Sequence, residues 1–227
     1  MARLRRLAIA GLPHLVVHRG NGVDPVFRDD IDRQTYLNAL TDVSRDCRVD
    51  VHAFAFLDHE VRLLATPGDV SALSRLMQRV GRRYVAPFNR RHQRAGAVWQ
   101  GRFQAAALAP ADYLMRCVRW VEQGQPPGAA PMPFDSPWSS AAHHIGVAAS
   151  ALVRDPPELW QHGNTPFERQ ARHRAALHMP VSPAEERELV AALKNGWPLG
   201  PREFFEPAAA SAGRRVFRGA VGRPKGA

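Results

Sequence analysis

Two apolar, β-branched runs separated by three residues constrain this chain more than any other feature. Val49 to Leu57 reads as one strand and Val61 to Thr66 as the next. The short Asp58-His59-Glu60 connection between them predicts a hairpin. Upstream, His14 to Gly20 alternates and is β-branched, so it predicts a strand that Gly20-Asn21-Gly22 ends with turn chemistry. Asp30 or Ile31 then opens a helix through Cys47, with Tyr36, Leu37, Leu40 and Val43 at helical spacing. Downstream, Pro67-Gly68-Asp69 breaks the chain and caps a helix from about Val70 to Asn89. Leu73, Leu76, Met77, Val80 and Tyr84 share one face of that helix. A fourth strand runs from Arg102 to Leu108, and Asp112 is the expected N-cap of one more helix. The order strand, helix, strand, strand, helix, strand predicts an α+β fold: a ferredoxin-like split βαβ, with helices on one face of an antiparallel sheet.

A chain of 227 residues can hold one domain with a real core plus an appendage. Composition shifts after Gln123, where Gln125-Pro126-Pro127-Gly128 to Pro133 reads as a linker. Beyond it, Pro183 to Leu193 is a short amphipathic helix with Ser182 as N-cap and Gly196 past its end. The expected organisation is a domain over 1–145, a mostly helical C-terminal extension over 146–212, and a basic disordered tail over 213–227. Two cysteines, Cys47 and Cys117, cannot build a disulfide framework. No apolar run reaches the roughly 20 residues of a membrane span, and Met1 to Arg6 does not begin a secretory signal. A cytoplasmic location follows as the expectation.

The formal net charge of +10 points to a polyanionic partner, nucleic acid first. A GC-rich genome explains why only Lys194 and Lys225 are lysines. It does not explain why no acid occurs between Asp69 and Asp112, where Arg75, Arg79, Arg82, Arg83, Arg90, Arg91, Arg94 and Arg102 all lie. A merely solvated basic face is the alternative.

Several phrases carry a family likeness. They include Phe88-Asn89-Arg90-Arg91-His92, Trp99-Gln100-Gly101-Arg102-Phe103, Pro137-Trp138-Ser139-Ser140 and the stretch Asp112 to Glu122. From about Leu7 to His144 the chain resembles the single-tyrosine HUH transposases, of the REP-associated tyrosine transposase type. That resemblance implies DNA as partner, single-stranded or folded into hairpins, with a nucleoid-associated location and a possible homodimer. It implies chemistry by two strand histidines that hold Mg or Mn and a helix tyrosine that attacks a phosphodiester. Aligned at Asp58 and Thr66-Pro67, the histidine positions are Glu60 and Arg62 here, and the tyrosine position is Trp120. An indole N–H is a donor only and has no nucleophilic oxygen. The resemblance thus implies a transposase-like DNA-binding protein without strand transfer, and no cofactor is expected. The alternative is an active transposase using Tyr113, seven residues before Trp120, or an unorthodox metal site.

Three readings of Glu60 and Arg62 stand side by side: an ion pair filling the metal position, an Arg62 contact to a DNA phosphate, and Mg²⁺ held by Asp58 and Glu60. By the resemblance, Arg82, Arg83, Arg90, Arg91 and Arg102 are the best candidates for DNA backbone contact, the basic block adds Arg75, Arg79 and Arg94, and Tyr84, Phe88 and Trp99 are either base stackers or core residues. His143 and His144 are adjacent but lack further ligands at metal-site spacing. Gly222-Arg223-Pro224 resembles the core of an AT-hook, which makes Arg223 a minor-groove candidate or part of a solvated tail.

Overall fold

The three-residue connection closes a hairpin. In this computed structural model, which describes residues 6–22, 24–124, 134–211 and 214–217, β2 (Val49–Leu57) pairs antiparallel with β3 (Glu60–Pro67), and Leu57 faces Glu60 across the turn. β1 (His14–Arg19) pairs antiparallel with β3, and β4 (Gln104–Ala107) with β1. The sheet order is β2-β3-β1-β4. β1 and β2 are therefore parallel, with β3 running between them. That is the expected split βαβ. The linker over 125–133, Arg223 and the AT-hook-like segment lie outside the described residues.

α1 (Asp30–Cys47) connects β1 to β2, and α2 (Ala72–Arg91) connects β3 to β4. Asp29 caps α1 by accepting the Asp32 N–H at 3.1 Å. Gly68 lets the chain pass the far end of α1, because a Cβ there would sit 2.9 Å from the Arg48 carbonyl oxygen. Both helices cover one face. Tyr36, Leu40 and Val43 of α1 and Leu76, Val80 and Tyr84 of α2 pack on Val16, Phe54, Phe56 and Leu63. A register shift between Val51 and Ala53 breaks the alternation of β2, so Phe54 and Phe56 share the face of Val49 and Val51 and join this core.

The opposite face, which the sequence expectation left uncovered, carries α3 (Pro110–Gln123) and α6 (Pro183–Asn195). Leu114, Cys117, Val118, Trp120 and Val121 of α3 join Leu189 and Leu193 of α6 over Leu15, Val17, Ala55 and Leu64. α3 begins three residues earlier than expected. Ala109 is its N-cap and Pro110 takes the first turn, so Asp112 is a first-turn acid rather than the cap. Proline suits that position because its missing N–H would be unpaired there anyway.

The C-terminal segment contributes to the same sheet. α4 (Ala141–His144), a 3-10 turn (Pro157–His162), α5 (Pro166–Leu177) and α7 (Arg202–Ser211) complete it. Ser182 and Glu185 form a capping box on α6, which ends at Gly196 in the left-handed region (φ 66) as the sequence implies. Residues flanking these helices also close both edges of the sheet. Phe56 donates to the Trp138 carbonyl and Arg154 to that of Val51 along β2, while Leu199 bonds Ala107 beyond β4.

Candidate functional site

The hairpin and α3 bring Glu60, Arg62 and Trp120 together. Glu60 and Arg62 lie two residues apart on β3, so their side chains share a face, and that face meets α3. The Arg62 Nε donates to Glu60 Oε1 at 2.6 Å, and its Nη1 donates to the Trp120 carbonyl oxygen at 3.2 Å. Its guanidinium carbon stands 4.0 Å from the centre of the Trp120 ring, within cation–π range. Arg19 holds the second Glu60 oxygen at 3.0 Å. Burial pushes the Glu60 carboxyl up, but Arg62 and Arg19 outweigh it and hold the group below the usual carboxylate range.

This arrangement decides among the three readings of the pair. Arg62 is 4% exposed, so its charge is spent on Glu60 and Trp120 and is not presented to a phosphate. A guanidinium has no lone pair to offer a metal, and both Glu60 oxygens already accept from arginines. Asp58 pairs instead with Arg33 at 2.5 Å. The residues present do not fit the divalent cation of the resembled family.

α2 corrects the reading of the arginine block. Its acids come from outside the block in sequence. Arg75 pairs with Asp69 at 2.6 Å, Arg79 with Asp46 at 2.5 Å, Arg83 with Asp42 at 3.3 Å, and Arg91 with Asp29 and Asp32 at 2.5 and 2.7 Å. Most of these acids belong to α1, which packs alongside α2. Arg94 donates to the Ala97 carbonyl at 3.4 Å. Among the described residues, Arg82, Arg90 and Arg102 are exposed and have no carboxylate partner.

The candidate stackers are core residues. Tyr84 and Phe88 are buried, and the Tyr84 hydroxyl donates to the Val26 carbonyl. Trp99 is 9% exposed and stacks on His18 at 4.3 Å. Tyr113 donates its hydroxyl to Glu188 of α6 at 2.6 Å. Burial and that carboxylate push its phenol up to about 12, which disfavours the phenolate.

The sequence reading missed a second cluster. Glu122, on the last turn of α3, is fully buried and accepts three hydrogen bonds. His144 Nδ1 lies 2.5 Å from Oε1, His173 Nε2 lies 2.5 Å from Oε2, and the Ser140 hydroxyl donates to Oε1 at 2.5 Å. Partners 22 and 51 positions from Glu122 leave no short spacing to read. The signals present in the sequence were the adjacent histidines and an acid on an otherwise apolar helix face.

The site thus stands on a four-stranded split βαβ sheet whose β2–β3 hairpin faces α3. The chain is similar to a solved REP-associated tyrosine transposase bound to a REP hairpin, with 18% identity, a TM-score of 0.54, and coverage of 70% of this chain and 93% of that one. A structure of a protein assigned as a transposase, from Deinococcus radiodurans R1, matches with 17% identity and a TM-score of 0.36 over 48% of this chain and 87% of its own. No protein-family profile and no curated protein matches the chain. The fold is that of the REP-associated transposase type. Among the described residues no helix is long and apolar enough to cross a membrane.

Proposed function

We propose that this chain is a transposase-like DNA-binding protein that neither cuts nor rejoins DNA. The Arg62 guanidinium, held between the Glu60 carboxylate and the Trp120 ring, carries this reading. It fills the place where the resembled enzymes need a cation, and Trp120 supplies no attacking oxygen. Hairpin or single-stranded DNA is the proposed ligand. The overall charge of +10, the open arginines Arg82, Arg90 and Arg102, and the shared fold support it. Binding through phosphates implies strong salt dependence. Tyr113 is not favoured as a substitute nucleophile, since its hydroxyl is engaged by Glu188.

Incubation with a hairpin oligonucleotide and Mg²⁺ or Mn²⁺ tests this. A salt-sensitive shift on a native gel, with no cleavage and no covalent adduct on a denaturing gel, is the expected outcome. An adduct overturns the inactive reading, and an absence of any shift overturns the DNA-binding one.

A further inference from the structure

We propose that Glu122, His144 and His173 form a metal site, with Zn²⁺ as the ion its donors suit. The three side chains come from α3, α4 and α5, and their donor atoms lie within 4.8 Å of one another. All three are buried, at 0, 4 and 2% exposure. Two imidazoles and a carboxylate suit zinc, whereas Mg²⁺ and Ca²⁺ prefer oxygen alone. Zinc bonds of about 2.0–2.2 Å put neighbouring ligands roughly 3.3 Å apart in a tetrahedron. The imidazole nitrogens, now 2.5 Å from the Glu122 oxygens, would draw back by less than an ångström each.

The setting of His144 supplies a second observation. Its Nδ1 faces Glu122, while its buried Nε2 has no hydrogen-bond partner and stands 3.6 Å from Asp155 Oδ1. With a metal on Nδ1, the ring proton sits on Nε2 and points at Asp155. A carboxylate behind the far nitrogen of a ligating histidine is a recurrent outer-shell arrangement. The Ser140 hydroxyl on Oε1 fixes the Glu122 carboxylate in the same way. A 2+ ion also balances the two carboxylates, Glu122 and Asp155. His143 and the exposed side of Asp155 form an overlapping group, but the buried set is the one closed to water. The site would tie the end of α3 to the helices that follow.

The test uses the full chain, stripped with chelator and titrated with Zn²⁺ against a chromophoric competitor, with thermal melts alongside. One Zn²⁺ per chain with a raised Tm is expected, and Co²⁺ should give the visible absorption of a four- or five-coordinate ion. His173→Gln keeps a hydrogen-bond donor to Glu122 and should abolish stoichiometric binding with the circular dichroism unchanged. Asp155→Asn should weaken binding about 10–100-fold. His143→Gln should leave it unchanged. Absence of stoichiometric Zn²⁺ uptake by the unaltered chain overturns the proposal, as does uptake that survives in His173→Gln. The first outcome needs no variant to fold.

Discussion

Two carboxylates lie beside α3, the half-buried Glu60 and the fully buried Glu122, and their partners differ. Glu60, on β3, is neutralised by Arg62 and Arg19, and the Trp120 ring closes over the guanidinium. Glu122 is met by His144, His173 and a serine hydroxyl. Arginine carries a permanent charge and no lone pair, so the charges of the first pocket are met within the chain itself. Imidazoles carry exchangeable protons and lone pairs, so the second pocket retains the chemistry to hold an ion. A closed site at the hairpin therefore does not imply a molecule without a binding centre. Each pocket is defined by the counter-charge it was given.

The largest expected effect breaks the first pocket. Arg62→Met should destabilise the fold by up to about 3 kcal/mol in urea unfolding, because it leaves the half-buried Glu60 beside Trp120 with only Arg19. Pairing it with Glu60→Gln should recover much of that loss. If the double variant is no more stable than the single, the uncompensated charge is not the cause. The same pair sets an acid limb. Its folded carboxyl lies below the usual glutamate range, so the stability it confers is fully present above about pH 4.3 and is lost as pH falls through the folded value. The double variant should lose less stability on acidification than the unaltered chain. An equal loss would assign the acid limb to other carboxylates.

Ser140→Ala comes next and probes the second pocket. It removes one donor from Glu122 and the acceptor of the Phe54 N–H at 3.0 Å. A loss of about 1–3 kcal/mol is expected. An unchanged urea midpoint would show that the serine is replaceable by water.

The difference in legibility between the two pockets follows from distance along the chain. Glu60 and Arg62 are i and i+2 on a strand, so their common face could be read directly, and family likeness supplied Trp120. The strands, the hairpin and the Ser182 and Gly196 caps were also legible, because each rests on neighbours within a few residues. Glu122, His144 and His173 are joined only by tertiary packing, and no local pattern marks them. The ion pairs of the arginine block were hidden for the same reason. Acids vanish from residues 70–111 in sequence, yet Asp42 and Asp46 return to Arg83 and Arg79 from the adjacent helix. Tyr84 and Phe88 have the residue type of base stackers, but both are buried in the core. Asp112 has the residue type of an N-cap, but Pro110 at the first helical position sets the start of α3.

The arginines supply a smaller test of the same distinction between spent and open charge. Replacing Arg82, Arg90 and Arg102 together with alanine should lower the slope of log K against log salt by roughly 2–3 on hairpin DNA, since each phosphate contact contributes about 0.7–0.9. Replacing Arg79 and Arg83, whose charges are met by α1, should change the slope less. The reverse ranking would mean that the ion pairs open on binding and that α2 is the docking face after all.

Tyr113→Phe should have the smallest effect. Tyr113 sits at the start of α3, about two turns before Trp120 at 1.5 Å per residue, with its hydroxyl on Glu188. The site is partly open to solvent, so losing that bond should remove at most about 1 kcal/mol in thermal or urea unfolding. The hairpin shift should be unchanged, and the denaturing gel should look the same before and after the substitution. Should the unaltered chain form a DNA adduct that Tyr113→Phe abolishes, the ring at Trp120 has not ended the chemistry. The nucleophile would then lie at the other end of the same helix.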